Sequence, residues 1–296
     1  MRKWAKRAGI ALGVMVLLAA AAAVVGVQLA DHRMQRVVDV RVQAVAYRAD
    51  AQAVERGRYL YQSRGCVDCH GANGAGRVFV DDGALRIKGP NISPGPGNVV
   101  AAYQPVDWVR TIRHGVKPGG QPLLIMPSED YNRFTDDDLA ALVAYVRSMP
   151  PATGTAAELR LPLPVRLAYG FGVLRDAAAK IDHQLPPQAP IAEGVTAQHG
   201  AYVANMCLGC HGEQLAGGRI PGAPPDWPAA PALRPGPDSA LPRYATAEDL
   251  QALFRAGKRK DGSEVKVMPF GSLREMSDTD VRALHLYLQS LPALPG

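Results

Sequence analysis

An all-α fold is predicted: two tandem copies of one small helical domain behind an N-terminal helix long enough to cross a membrane. Three observations predict it. No Asp, Glu, Lys, Arg or His occurs from Ala8 to Ala30, the rest of the chain repeats itself at a nearly constant offset, and no strand pattern recurs between the two copies.

The first segment, 1–30, reads as a short cytoplasmic tail and a transmembrane anchor. The 23 residues from Ala8 to Ala30 would make a helix about 35 Å long, enough for a hydrocarbon core of about 30 Å. Trp4 lies where an interfacial aromatic belongs. The alternative is a cleaved signal peptide. Ala21-Ala22-Ala23 would offer a small-residue cleavage site, but the apolar part of a signal peptide is normally about 7–15 residues. Arg2, Lys3, Lys6 and Arg7 precede the run, and Arg33, Arg36, Arg41 and Arg48 follow it within about 20 residues, so the positive-inside count alone is a tie.

A connector, 31–50, leads to the first copy, 51–150. A Pro-rich linker, 151–195, separates it from the second copy, 196–296. Cys66-Val-Asp-Cys69-His70-Gly71 recurs as Cys207-Leu-Gly-Cys210-His211-Gly212, an offset of 141, and Gly57-Arg-Tyr59 is echoed by Gly200-Ala-Tyr202. The segments Asp107 to Gly115 and Asp249 to Gly257, Met126-Pro127 and Met268-Pro269, and the stretches starting at Thr135 and Ser277 all match at an offset of 142. Each copy reads as helix, long loop, helix, Met-bearing loop, helix.

The last helix has the clearest start. Thr135 and Ser277 stand where N-caps belong, each with an Asp three residues on. Leu139, Leu142, Val143 and Val146 form an apolar stripe at helical spacing, and Pro150 and Pro292 end the two helices. Within the linker, Val165 to Ile181 has the apolar spacing of a further helix, set either between the domains or against the membrane.

The net charge of +6 does not mark a nucleic-acid surface. Four of the positive charges precede the apolar run, while 50–150 holds eleven basic and eleven acidic residues and 196–296 holds ten of each. A nucleic-acid site needs basic residues gathered on a folded domain. Aromatic content is only 6 %, so a large flat cofactor could help fill the cores.

C-x-x-C-H is the attachment signature of c-type haem. Residues three apart on a helical turn share a face, so both thiols reach one porphyrin while the adjacent histidine coordinates iron. A Cys₄ zinc site is the rival, and a redox dithiol another; zinc would need the two pairs in one place, yet each lies in its own repeat. Met126 and Met268 hold the same slot of both copies, each before a proline that would stiffen the loop, and are the candidate sixth ligands. Met206, Met149 and Met276 read as core positions. His114, His183, His199 and His285 have no matched counterpart in the repeat and are not read as ligands. Lys258, Arg259 and Lys260 either flank the second haem edge or make a solvated turn ending at Asp261-Gly262.

On these motifs both halves, about two-thirds of the chain, resemble class I cytochrome c domains. The resemblance carries Cys66, Cys69, His70 and Met126 to one haem and Cys207, Cys210, His211 and Met268 to the other, hence two covalently bound haem c groups. With an anchor, the chain is similar to cytochrome subunits that accept electrons from periplasmic alcohol, gluconate or aldehyde dehydrogenases. Those typically have three haems and a C-terminal anchor; this chain has two motifs and an N-terminal run. The resemblance implies haem attachment in the periplasm, so that residues 31–296 lie outside a bacterial inner membrane. It implies an electron carrier rather than an enzyme, with a dehydrogenase, a quinol-oxidising complex or a terminal oxidase as redox partner. The alternative is a two-haem enzyme of peroxidase type, which requires one open iron; a methionine in both slots argues against that.

Overall fold

The computed structural model describes residues 2–224 and 226–294. It is mostly helical. The first helix, α1 (Arg2–Gln35), runs five residues past the uncharged stretch and is exposed along most of its length. Among the described residues it is the one helix long and apolar enough to cross a membrane.

The first repeat contains α2 (Ala51–Ser63), α3 (Cys66–His70), α4 (Pro105–His114), α5 (Ser128–Tyr131) and α6 (Asp136–Ser148). The linker forms α7 (Leu163–Gly170) and α8 (Ala177–Lys180). The second repeat contains α9 (Ala197–Ala204), α10 (Leu208–His211), α11 (Ala247–Ala256), α12 (Phe270–Leu273) and α13 (Asp278–Ser290). Each repeat closes on its own apolar core. Leu60, Trp108, Leu139 and Leu142 centre the first, and Val203, Leu253, Met276 and Leu284 the second. Met149 is buried in the first core, and Met206 packs against the second.

Local chemistry explains why the elements match. Thr135 accepts from the Asp138 N–H (3.0 Å) and Ser277 from the Asp280 N–H (3.1 Å), so each satisfies an orphan donor at a helix start. Helix α4 ends at Gly115 and α11 at Gly257, both left-handed (φ 64° and 70°), a conformation that costs an L side chain free energy. The echo of Gly57 in Gly200 has a packing cause. A Cβ at Gly57 would run into the Ala141 carbonyl of α6, and one at Gly200 into the Ala283 carbonyl of α13. These two glycines let the first and last helices of each repeat cross at backbone contact.

One expectation needs correction. The helix read over Val165–Ile181 is broken: α7 ends at Gly170, Gly172 turns the chain at φ 80°, and Asp176 caps a separate α8 by accepting from the Ala179 N–H. The fold also has a small antiparallel sheet, β1 (Val78–Asp81), β2 (Arg86–Lys88) and β3 (Glu158–Arg160), in the order β1-β2-β3. The Asp81-Asp82-Gly83 turn between β-branched residues signals that hairpin. The hairpin belongs to the first copy, so it leaves no strand pattern common to the two repeats.

The connector and linker wrap the first repeat. Val38 donates its N–H to the Gly120 carbonyl, and Val40 is buried with Val116 and Ala178. Arg133 bonds the Pro186 carbonyl and the Gln188 side chain, and Glu193 pairs with Arg56.

Candidate functional site

In each repeat the C-x-x-C-H segment forms a short helical turn closed by glycine. The Gly71 N–H donates to the Val67 carbonyl, and Gly212 to Leu208. The chain then folds back, with Gly76 donating to the His70 carbonyl and Gly217 to that of His211. Opposite each imidazole stands a proline carbonyl. His70 Nδ1 lies 2.9 Å from Pro90 O and His211 Nδ1 2.8 Å from Pro231 O. Both prolines follow their histidine by twenty residues, a regularity visible in the sequence. A donating Nδ1–H leaves Nε2 with its lone pair free, the state a metal-ligating histidine needs. Burial lowers both imidazoles below their ordinary value, against the opposing pull of the proline carbonyls. They are therefore neutral at pH 7.

The thiols form no disulfide. Burial pushes Cys66 up to about 12, Cys69 up to about 11 and Cys207 up to about 12, so they are poor thiolate nucleophiles, unlike activated redox cysteines. Among the described residues no group of three or more His, Cys, Asp or Glu is placed to hold a metal ion, so the two cysteine pairs do not converge on a Cys₄ site.

The two Met-Pro loops have one backbone conformation. The Ser128 N–H reaches back to the Met126 carbonyl and the Phe270 N–H to that of Met268, both at 2.8 Å. The central prolines lie at φ −79°, ψ 65° and φ −78°, ψ 65°. These are inverse γ-turns, whose φ a pyrrolidine ring already provides. Met126 packs on the same apolar cluster as Cys66 and Val67, and Met268 on that of Cys207 and Leu208.

The residues present fit a haem. A cleft in the first repeat is lined by Ile92, Val100, Tyr103, Trp108 and Val146, which belong to the cluster holding Cys66 and Met126. The buried Trp108 Nε1–H in that wall has no hydrogen-bond partner among the described residues. An unmatched buried donor costs about 1–3 kcal/mol, which a polar substituent of a bound macrocycle would offset.

Four other histidines are engaged elsewhere. The Nδ1 atoms of His114 and His183 are 3.0 Å apart, and His285 Nε2 bonds the Tyr244 carbonyl. His199 bonds Asp280 (2.7 Å). Arg259 folds onto Ser263 and the Glu264 carbonyl, and Lys260 pairs with Asp249 of α11.

What sequence reasoning missed is how the two sites are joined. Tyr59, from the first repeat, donates to Asp280 at the start of α13 (2.5 Å); Tyr202, from the second, donates to Asp138 at the start of α6 (2.7 Å). The repeats thus cap each other's last helix, as in a pseudo-twofold interface. The same exchange ties the attachment motifs to the opposite Met loops. Ser272 of α12 donates to Asp68, between Cys66 and Cys69, and the Gly209 N–H, between Cys207 and Cys210, donates to Asp130 of α5. Asp130 is raised to about 8 by burial and by Glu129, against the Gly209 N–H. The Tyr-Asp halves of this exchange were legible as the repeated Gly-x-Tyr and capping-box motifs, but not as partners.

Burial alone would raise the Asp138 and Asp280 carboxyls. Arg56 and Tyr202 outweigh it for Asp138, and Arg64, His199 and Tyr59 for Asp280, so both lie below the ordinary carboxylate range. Each therefore binds a proton less readily folded than unfolded. Their contribution is fully present above about pH 4, the unfolded value, and is lost as pH falls through the folded values. An acid titration followed by circular dichroism should show this loss, and Asp138→Asn with Asp280→Asn should flatten the curve below about pH 4. Coincident curves for parent and variant would exclude the two carboxylates as its source.

Comparison with known proteins places this arrangement. A family model described as cytochrome c oxidase, cbb3-type, subunit III matches residues 52–146 and 195–288. The cytochrome c subunit of a quinone alcohol dehydrogenase from Gluconobacter oxydans (strain 621H) is 29 % identical over 85 % of this chain and 57 % of that protein. Its counterpart from Komagataeibacter europaeus is 36 % identical over 83 % of this chain and 58 % of that protein. The cytochrome subunit of a fructose dehydrogenase from Gluconobacter japonicus is 27 % identical over 83 % and 54 %. The chain spans somewhat more than half the length of these curated relatives.

Proposed function

This chain belongs to the family described as cytochrome c oxidase, cbb3-type, subunit III, and we propose that it is a two-haem c-type cytochrome carrying electrons between redox proteins at a bacterial inner membrane. The carrying observation is the duplicated construction: one attachment motif, one proline-backed imidazole and one Met-Pro γ-turn in each repeat. Cytochrome c domains imply covalently bound haem c, which supplies reversible one-electron chemistry at its iron.

Cys66 and Cys69 would hold one group by thioether bonds, and Cys207 and Cys210 the second. His70 and His211 present a neutral Nε2, each kept in that tautomer by a proline carbonyl. Met126 and Met268, on loops fixed by the γ-turns, would supply thioether ligands. Ser128 anchors the first loop by donating to the Thr111 carbonyl, and Tyr131 by donating to the Arg64 carbonyl.

Helix α1 anchors the chain, with both repeats on the periplasmic side where haem c is attached. The partner we favour is a periplasmic dehydrogenase, because the relatives are named as cytochrome subunits of alcohol and fructose dehydrogenases. A quinol-oxidising complex or a terminal oxidase completes the circuit.

Carbon monoxide tests the ligand assignment. The reduced protein should show almost no spectral response to the gas, because methionine closes both irons. Met126→Ala should make about half of the haem reactive, and Met268→Ala the other half. Rapid binding by the unmodified protein would reject methionine ligation and restore the peroxidase-like alternative.

A further inference from the structure

We propose that the α7 turn is a second membrane contact, a foot of Leu163, Phe171 and Val173 lying in the outer headgroup–acyl boundary beside α1. The inference rests on the reading of α1 as a transmembrane anchor. It starts from where α7 meets that helix. A Cβ at Gly26 would approach Leu167 to 2.6 Å and Phe171 to 2.8 Å, and one at Gly170 would strike the Gly26 carbonyl and lie 3.1 Å from Ala30 N. Glycine on both sides brings the backbones into contact at the level of Gly26 to Ala30. Just beyond, Arg166 pairs with Asp31 (2.5 Å), Gly172 lies over Arg33, and Arg36 pairs with Asp176 (2.6 Å).

The depth of that crossing follows from helix geometry. A hydrocarbon core of about 30 Å takes about 20 residues at 1.5 Å each, so a core beginning at Ala8 ends near residue 28. Tilt lengthens the path and sets Gly26 deeper. Placing Gly26 in water would draw Lys6 and Arg7 into the opposite side of the core. The residues against Gly26 therefore lie at or inside the lipid boundary.

The exposed side chains there suit that place. Phe171, against Gly26, is 51 % exposed, Leu163 of α7 52 % and Val173, two residues past Phe171, 77 %, while Val24, Val25 and Leu29 of α1 around Gly26 are exposed as well. Exposed His32, Arg33 and Arg175 form a collar one turn farther out, the level at which basic groups meet anionic headgroups. The apolar patch is thus continuous with the span, and its occupant is lipid.

The foot also orients the first repeat. From it the chain enters α8, where Ala177 packs on Gly115 and donates its N–H to the Leu123 carbonyl, and Lys180 pairs with Glu129 (2.6 Å). These contacts flank the Met126 loop, which is held toward the membrane rather than left to swing on a tether.

The test uses the full chain in vesicles of phosphatidylethanolamine and phosphatidylglycerol, with the haem reduced to its diamagnetic state. A nitroxide is placed in turn at Val173→Cys, Leu163→Cys, Leu17→Cys in the span and Val99→Cys on the first repeat, the native cysteines being bound to haem. The ratio of collision with oxygen to collision with a water-soluble nickel chelate should be several-fold higher at 173, 163 and 17 than at 99. A ratio at 173 and 163 equal to that at 99, with 17 still lipid-like, overturns the foot and leaves the anchor standing. A water-like ratio at 17 overturns the anchor reading and the foot with it.

Discussion

Replacing Arg64 with alanine is expected to cost about 3–5 kcal/mol of stability, the penalty for breaking a buried ion pair from one side. Arg64 is 3 % exposed and Asp280 0 %. The guanidinium comes from the first repeat and the carboxylate from the second, so the pair sits where the repeats join. Burial acts to lower the arginine, yet the Asp280 charge holds it above its ordinary value. After truncation Asp280 keeps the Tyr59 hydroxyl and His199, which places the loss toward the lower end. Arg64→Met with Asp280→Asn removes both charges and should recover much of it, because two ions no longer need desolvating. Urea unfolding measures both. A loss below about 1 kcal/mol for Arg64→Ala would make the pair equivalent to a surface salt bridge and remove it from the interface.

With one haem in each repeat, as proposed above, replacing both Cys207 and Cys210 with alanine is expected to lower the haem content from two per chain to one. The second repeat then has no thiol to hold its haem, while the first keeps Cys66, Cys69, His70 and Met126. The effect extends past the cofactor. Cys207 and Met268 pack on the core of Val203, Leu253 and Leu284, so an empty site leaves that core unfilled and α9, α11 and α13 should lose protection from hydrogen exchange. Iron content and the alkaline pyridine haem spectrum give the stoichiometry. Retention of two haems would refute attachment through this pair. Loss of both would show that the first site cannot load without the second, as the crossed Ser272–Asp68 and Gly209–Asp130 contacts allow.

Readable from the sequence were the features set by chemistry between near neighbours. Cysteines three apart beside a histidine, a hydroxyl at a helix start and a 23-residue run without charge each carry their meaning wherever the chain places them. Duplication then made weak signals strong. A lone Met-Pro says little, but the same pair in the same slot of both copies marks two loops that take one γ-turn conformation. The helix read over Val165–Ile181 failed because its apolar spacing could not show that Gly170 and Gly172 serve a crossing with α1 and a turn. Only the tertiary structure decided who meets whom across the repeats. Tyr59 and Tyr202 look alike in the sequence, and each would as naturally serve its own domain. Their exchange depends on two folded surfaces meeting with a buried carboxylate on each side, and on Arg64, which falls where the second copy is two residues shorter between Gly200 and Cys207 than the first is between Gly57 and Cys66. Such contacts join residues more than sixty and up to about 220 positions apart. No local pattern encodes them, because the free energy that selects them exists only once both cores have formed and water has been excluded between them.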